Sequence, residues 1–151
     1  MKAKLVIALG MLMLVSATAF SFKKPEAKIA EKEPGIQFFE GTWDEALAKA
    51  KAENKPVFLD IYATWCGPCK LLKRKTFSDE EAGKYFNDNF INVELDGEKG
   101  DGLKLAQKFN LEAYPSLYVV NANGEQIAYS AGYRSPSELI AFGKDALAKK
   151  K

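Results

Sequence analysis

Cys66 and Cys69 are the only thiols in a chain of 151 residues, and they lie three positions apart. A pair so close cannot staple distant segments, which excludes a disulfide framework. It can close a small ring, and a ring that opens and closes is redox chemistry. Histidine is absent, which excludes Ser-His-Asp and Cys-His catalysis, histidine-held haem and histidine-ligated zinc. Two thiolates supply only half of a tetrahedral zinc site, so neither a metal nor another cofactor is expected.

The surrounding residues, Trp65-Cys66-Gly67-Pro68-Cys69-Lys70, sharpen that reading. Pro68 stands where a first helical residue belongs, since its missing N–H would lack a partner there anyway. Cys66 then sits at a helix N-terminus, where free amides and the dipole favour a thiolate. Gly67 keeps the approach to sulfur open. One helical turn brings Cys69 beneath Cys66, which makes Cys66 the exposed attacker and Cys69 the shielded resolver. Lowering a thiol pKa from about 8.5 to about 7 raises the neutral-pH thiolate fraction about 16-fold. The accompanying loss of nucleophilicity is about six-fold. Much of the benefit must therefore lie in Cys66 as a leaving group when Cys69 displaces it.

The elements that position this pair read as follows. Pro56 to Tyr62 is a nearly continuous apolar run, the pattern of a central strand buried on both faces. Asp60 interrupts it, where a charge is expensive. Ile36 to Glu40 reads as a short strand, and Thr42-Trp43-Asp44-Glu45 as a capping box opening a helix to Asn54. Lys70 to Thr76 reads as a basic helix. A box at Ser78-Asp79-Glu80-Glu81 opens a helix through Phe86, and another at Ser135-Pro136-Ser137-Glu138 opens the last helix. Strands are expected at Phe90 to Leu95, Ser116 to Val120 and Gln126 to Ser130, with a turn at Asn123-Gly124 and a helix from Leu103 to Phe109. Asp96 to Asp101 fails the spacing of a calcium loop and reads as a solvated connection. The order is that of an α/β domain with its sheet covered on both faces.

From about Lys55 to Leu147 the chain resembles thioredoxins: in Trp65 to Lys70, in Phe58-Leu59-Asp60 before the cysteines, in Tyr114-Pro115-Ser116 before a strand, in Asn123-Gly124-Glu125, and in Gly132. Pro56 to Tyr62 and Thr76-Phe77-Ser78-Asp79 resemble the C-terminal periplasmic domain of thiol:disulfide interchange proteins. The resemblance implies a thioredoxin-like fold with a central mixed β-sheet covered by helices on both faces. It implies a Cys66–Cys69 redox disulfide, with Cys66 as nucleophile and Cys69 as the resolving thiol. Asp60 would assist proton transfer at Cys69. Pro115 would be cis and face the disulfide, and Trp65, Gly67, Pro68, Tyr114 and Pro115 would bind substrate. Thioredoxins usually carry a lysine near the aspartate, and Asn92 is read as standing at that position.

Residues 1–19 read as an export signal: a basic start at Lys2 and Lys4, an apolar run from Leu5 to Val15, and Ala17-Thr18-Ala19 before a cleavage point. The alternative is an uncleaved anchor, since Leu5 to Phe22 is just long enough to span a bilayer. Residues 20–35 read as a linker and 36–151 as the thioredoxin-like domain. Cleavage removes Lys2 and Lys4 and no acid, leaving the remainder formally neutral. Attraction to nucleic acid or anionic membranes is not expected. The expected protein is a monomeric, exported, periplasmic thiol:disulfide oxidoreductase. It would mainly reduce protein disulfides and draw electrons from a membrane thiol donor. Net disulfide oxidation or isomerisation, and a thioredoxin-like binding module, are the competing readings.

Overall fold

The computed structural model describes residues 34–149; the expected signal and most of the expected linker lie outside them. Nine regular elements and one π-helical turn follow in order. They are α1 (Trp43–Glu53), β1 (Val57–Tyr62), α2 (Gly67–Leu72), the π turn (Lys73–Phe77), α3 (Glu80–Asn89), β2 (Ile91–Asp96), α4 (Gly100–Lys108), β3 (Ser116–Val120), β4 (Gln126–Ala131) and α5 (Pro136–Lys149). The sheet order is β2-β1-β3-β4, with β1 and β2 parallel and the other neighbours antiparallel. The fold is the mixed α/β sandwich expected from the sequence. Among the described residues no helix is long and apolar enough to cross a membrane.

Two cores lie on opposite faces of the sheet, and the two-residue period of β1 sorts its side chains between them. Val57, Leu59 and Ile61 pack with Trp43, Ala46 and Ala50 of α1 and Leu105 of α4. Phe58 points the other way, against Leu72, Phe77, Phe86 and Leu139. Asp60 follows Phe58 by two residues and so emerges on the face that α2 covers. Burial of β1 on both faces is what places a carboxyl there at all.

Local chemistry sets the element ends. Thr42 and Glu45 form a reciprocal capping box, and α1 stops at Asn54 in the left-handed conformation. Ser135 and Glu138 bond reciprocally at the start of α5. At α3 the cap is one residue later than expected: Asp79 Oδ1 accepts from Ala82 N at 2.9 Å, while Ser78 Oγ donates back to Arg74 O. The expected single helix from Lys70 to Thr76 changes to π geometry at Lys73. The expected strand at Ile36 to Glu40 does not form. That segment is fastened to β2 by one backbone bond, Phe39 N to Asn92 O at 2.8 Å, and by Asn92 Nδ2 donating to Gln37 O. One ladder bond and a side-chain bridge hold a chain in place without continuing the sheet.

Candidate active site

β1 ends at Tyr62, and a short loop delivers Cys66 to the first turn of α2. Cys66 is the N-cap: its backbone is extended, and its Sγ accepts from Cys69 N at 3.1 Å. The two sulfurs are joined in a disulfide, with Cα atoms 5.3 Å apart. Exposure does not separate the pair as the sequence suggested. Cys66 is 4% exposed and Cys69 6%, because Ala63, Tyr62 and Tyr114 pack around the closed ring. What separates them is surroundings. Cys66 holds the cap position, whereas Cys69 borders a cavity of about 120 Å³ shared with Asp60, Lys73 and Glu94.

Asp60 is 3% exposed and its Oδ1 has no hydrogen-bond partner. Burial, reinforced by the nearby Glu94 charge and opposed by Lys73, pushes its carboxyl up to about 8. Asn92 is not directly opposite it and does not line the cavity. In the parallel ladder Asn92 is opposite Phe58, and Glu94 is opposite Asp60. The Asn92 amide is engaged with Gln37 O and Asn87 Oδ1. The cation near Asp60 is Lys73, which bonds Glu94 at 2.9 Å. Lys73 sits four residues after Cys69, a helical neighbour in sequence; its pairing with Glu94 depends on β2 and had no local signal.

The other side of the ring is aromatic. The Tyr114–Pro115 bond is cis, and Tyr114 packs against the cysteines. Trp65 is 66% exposed, meets Tyr114 edge-on at 5.8 Å, and donates from Nε1 to Glu98 Oε1 at 3.0 Å. Gly67 and Pro68 are exposed, and a Cβ at Gly67 would meet nothing. A Cβ at Gly97 would come within 2.6 Å of the Tyr114 hydroxyl, so only glycine allows that ring its position. The segment read as a mere solvated loop therefore contributes Gly97 and Glu98 to this surface, and its Asp101 accepts from Trp43 N at the start of α1. The arrangement brings together a reducible pair, a buried carboxyl on the cavity that Cys69 borders and an aromatic wall beside both cysteines.

Known proteins resemble this chain in sequence and fold. The family model for thioredoxin-like domains matches residues 39–122. The chain is 37% identical to a thioredoxin H-type protein of Chlamydomonas reinhardtii over 70% of its own length and 80% of that protein. It is 32% identical over 60% of its length to the thiol:disulfide interchange protein DsbD of Yersinia pestis, of which it spans only 16%. Among solved structures, a protein from Bacteroides thetaiotaomicron named provisionally as a disulphide-isomerase is 38% identical. It matches with a TM-score of 0.69, over 80% of this chain and 99% of that one. The oxidised C-terminal domain of Neisseria meningitidis DsbD, 22% identical over 74% of this chain and 99% of that one, shares the fold at a TM-score of 0.59. With a dithiol ring at a helix start, a cis-proline loop beside it and these relatives, the chain belongs to the thioredoxin-like family of thiol:disulfide oxidoreductases.

Proposed function

We propose that the protein is an exported disulfide reductase that works through Cys66 and Cys69. The observation that carries this reading is the Cys66–Cys69 ring at the start of α2, with Asp60 and a cavity beside Cys69. In the reduced protein, the Cys66 thiolate attacks a substrate disulfide; a Cys66–substrate bond forms and one substrate sulfur leaves. Cys69, giving its proton to ionised Asp60, then attacks Cys66. The ring closes, and the second substrate sulfur leaves with the electron pair. Trp65, Gly67, Pro68, Tyr114 and Pro115 form the surface on which the substrate strand lies.

The Gly-Pro spacer argues for a reductant, since it resembles that of thioredoxin at about −270 mV rather than strong oxidants near −120 mV. The residue pattern at 1–19 and the likeness to the periplasmic domain of interchange proteins support export, with residues 20–35 as a tether and 36–151 as the working domain. Cytosolic reductases do not reach that compartment, so a membrane thiol protein supplies the electrons. Its other partners are proteins with exposed disulfides. The name carried by the Bacteroides relative favours isomerisation as the second reading. The reduction potential decides between them: a value above about −180 mV supports net oxidation or isomerisation, and a value near −270 mV supports reduction. Intact-mass measurement of the exported protein tests the processing, with Phe20 as the expected first residue.

A further inference from the structure

The face of β1 that carries Asp60 holds more charge than one proton acceptor accounts for. Glu94 stands opposite Asp60 in the ladder, and Lys73 Nζ donates to both Glu94 oxygens, at 2.9 and 3.1 Å. All three line the cavity that reaches Cys69. Exposure rises outward through them, from 3% at Asp60 to 25% for the Glu94 side chain and 67% for Lys73. Asp60 is the deepest charged group of the three, and Glu94 is the next most buried. Lys73 opens the π turn, and π geometry within helices concentrates at functional sites. The far end of that turn is pinned by Thr76 Oγ1 donating to Arg134 O at 2.6 Å.

We propose that Lys73 and Glu94 are the positioning pair for Asp60, and that the Glu94 carboxylate is the exit by which a proton taken from Cys69 reaches solvent. The inference rests on the dithiol exchange proposed above and adds its proton route. As the Cys69 sulfur bonds to Cys66 and the Cys66–substrate bond breaks, the Cys69 proton passes to Asp60. It moves from Asp60 to Glu94 and from Glu94 to water, while the departing substrate thiolate keeps the electron pair. Lys73 Nζ, bonded to both of its oxygens, holds the Glu94 carboxylate at the cavity. The other ionisable groups bordering the cavity are Tyr62 of β1 and Lys70 and Cys69 of α2; on β3, Leu117 opposite Asp60 carries no charge.

The two members of the pair act on Asp60 with opposite signs. Glu94 raises its carboxyl pKa and Lys73 lowers it. Glu94→Gln should therefore shift the ionisation of Asp60 to lower pH, and Lys73→Met to higher pH. A role confined to stability moves neither. The experiment mixes the reduced full chain with 5,5′-dithiobis(2-nitrobenzoate). Cys66 releases one thionitrobenzoate, and Cys69 then releases the second, whose rate is followed against pH. Glu94→Gln should lower the midpoint of the second release. It should also slow repeated insulin reduction driven by dithiothreitol by about tenfold, because Asp60 must shed its proton before each new cycle. That is a fraction of the roughly 10²-fold that direct proton transfer contributes, and unslowed turnover overturns the exit. Lys73→Met should raise the midpoint, while Lys73→Arg and Glu94→Asp should restore much of the wild-type profile. Circular dichroism establishes that each variant is folded. Midpoints that stay put, or move in the same direction in the Gln and Met variants, overturn the proposal. If Glu94→Gln does not fold, Lys73→Met decides alone, and an unmoved or lowered midpoint overturns it. A wild-type protein that releases only one equivalent refutes the dithiol exchange itself.

Discussion

Asp60 and Asn92 lie on neighbouring strands, each 3% exposed and each with an oxygen that has no partner. Their surroundings differ. Asn92 has its amide engaged with Gln37 O and Asn87 Oδ1, and so fastens the incoming segment to β2. Asp60 is opposite a second carboxylate and shares a cavity with Cys69. A buried amide whose N–H groups are used holds structure together. A buried carboxyl left open beside a reducible sulfur stays available for a proton.

Substitutions at the sulfurs should give the largest effects. Cys66→Ser should abolish reduction of a protein disulfide, because Cys69, the one remaining thiol, does not hold the helix N-cap position of the attacker. Cys69→Ser should retain one attack and accumulate a mixed disulfide, visible as added mass. If Cys66→Ser turned over at the wild-type rate, Asp60 would lose its assigned task with it.

Asp60→Asn comes next and bears on the comparison directly. It should slow ring closure by about 10²-fold and the first attack far less; stopped-flow traces showing only a slower first attack would reverse the assignment. It should also stabilise the protein. The folded carboxyl is raised from 3.8 to about 8, so its contribution is fully present below about pH 4 and is lost as pH rises towards 8. At pH 7 the variant should exceed wild type by something on the order of 4 kcal/mol in urea unfolding. The difference should vanish near pH 4.

Asn92→Ala should behave in the opposite way. It should destabilise the fold by about 1–3 kcal/mol through lost and unpaired hydrogen bonds. That loss should not depend on pH between 5 and 8, and the rate of ring closure should be unchanged. A slower closure in Asn92→Ala would make the two buried polar residues one system.

The smallest effect is expected at the aromatic wall. Trp65→Ala should raise KM for a protein disulfide by about fivefold, the scale of one aromatic contact, and leave thionitrobenzoate release unchanged.

The chemistry was legible in the sequence because it is local. Three-residue spacing, Pro68 in the first turn and a buried strand before Cys66 act within one turn of chain, as do the capping boxes at Thr42 and Ser135. The apolar run of β1 announced its burial on both faces, and so the unusual place of Asp60. The charges around Asp60 were not legible, since Glu94 meets it across a ladder and Lys73 meets Glu94 only where β2 packs beside α2. The near-equal burial of the cysteines comes in part from Tyr114, which is distant in sequence and admitted by a glycine at position 97. Residues 36–40 had the apolar content of a strand, yet one backbone bond to β2 left them outside the sheet. Spacing along one turn or strand is set by the chain's own geometry; which charge faces which, and how many ladder bonds form, is settled only when distant segments pack.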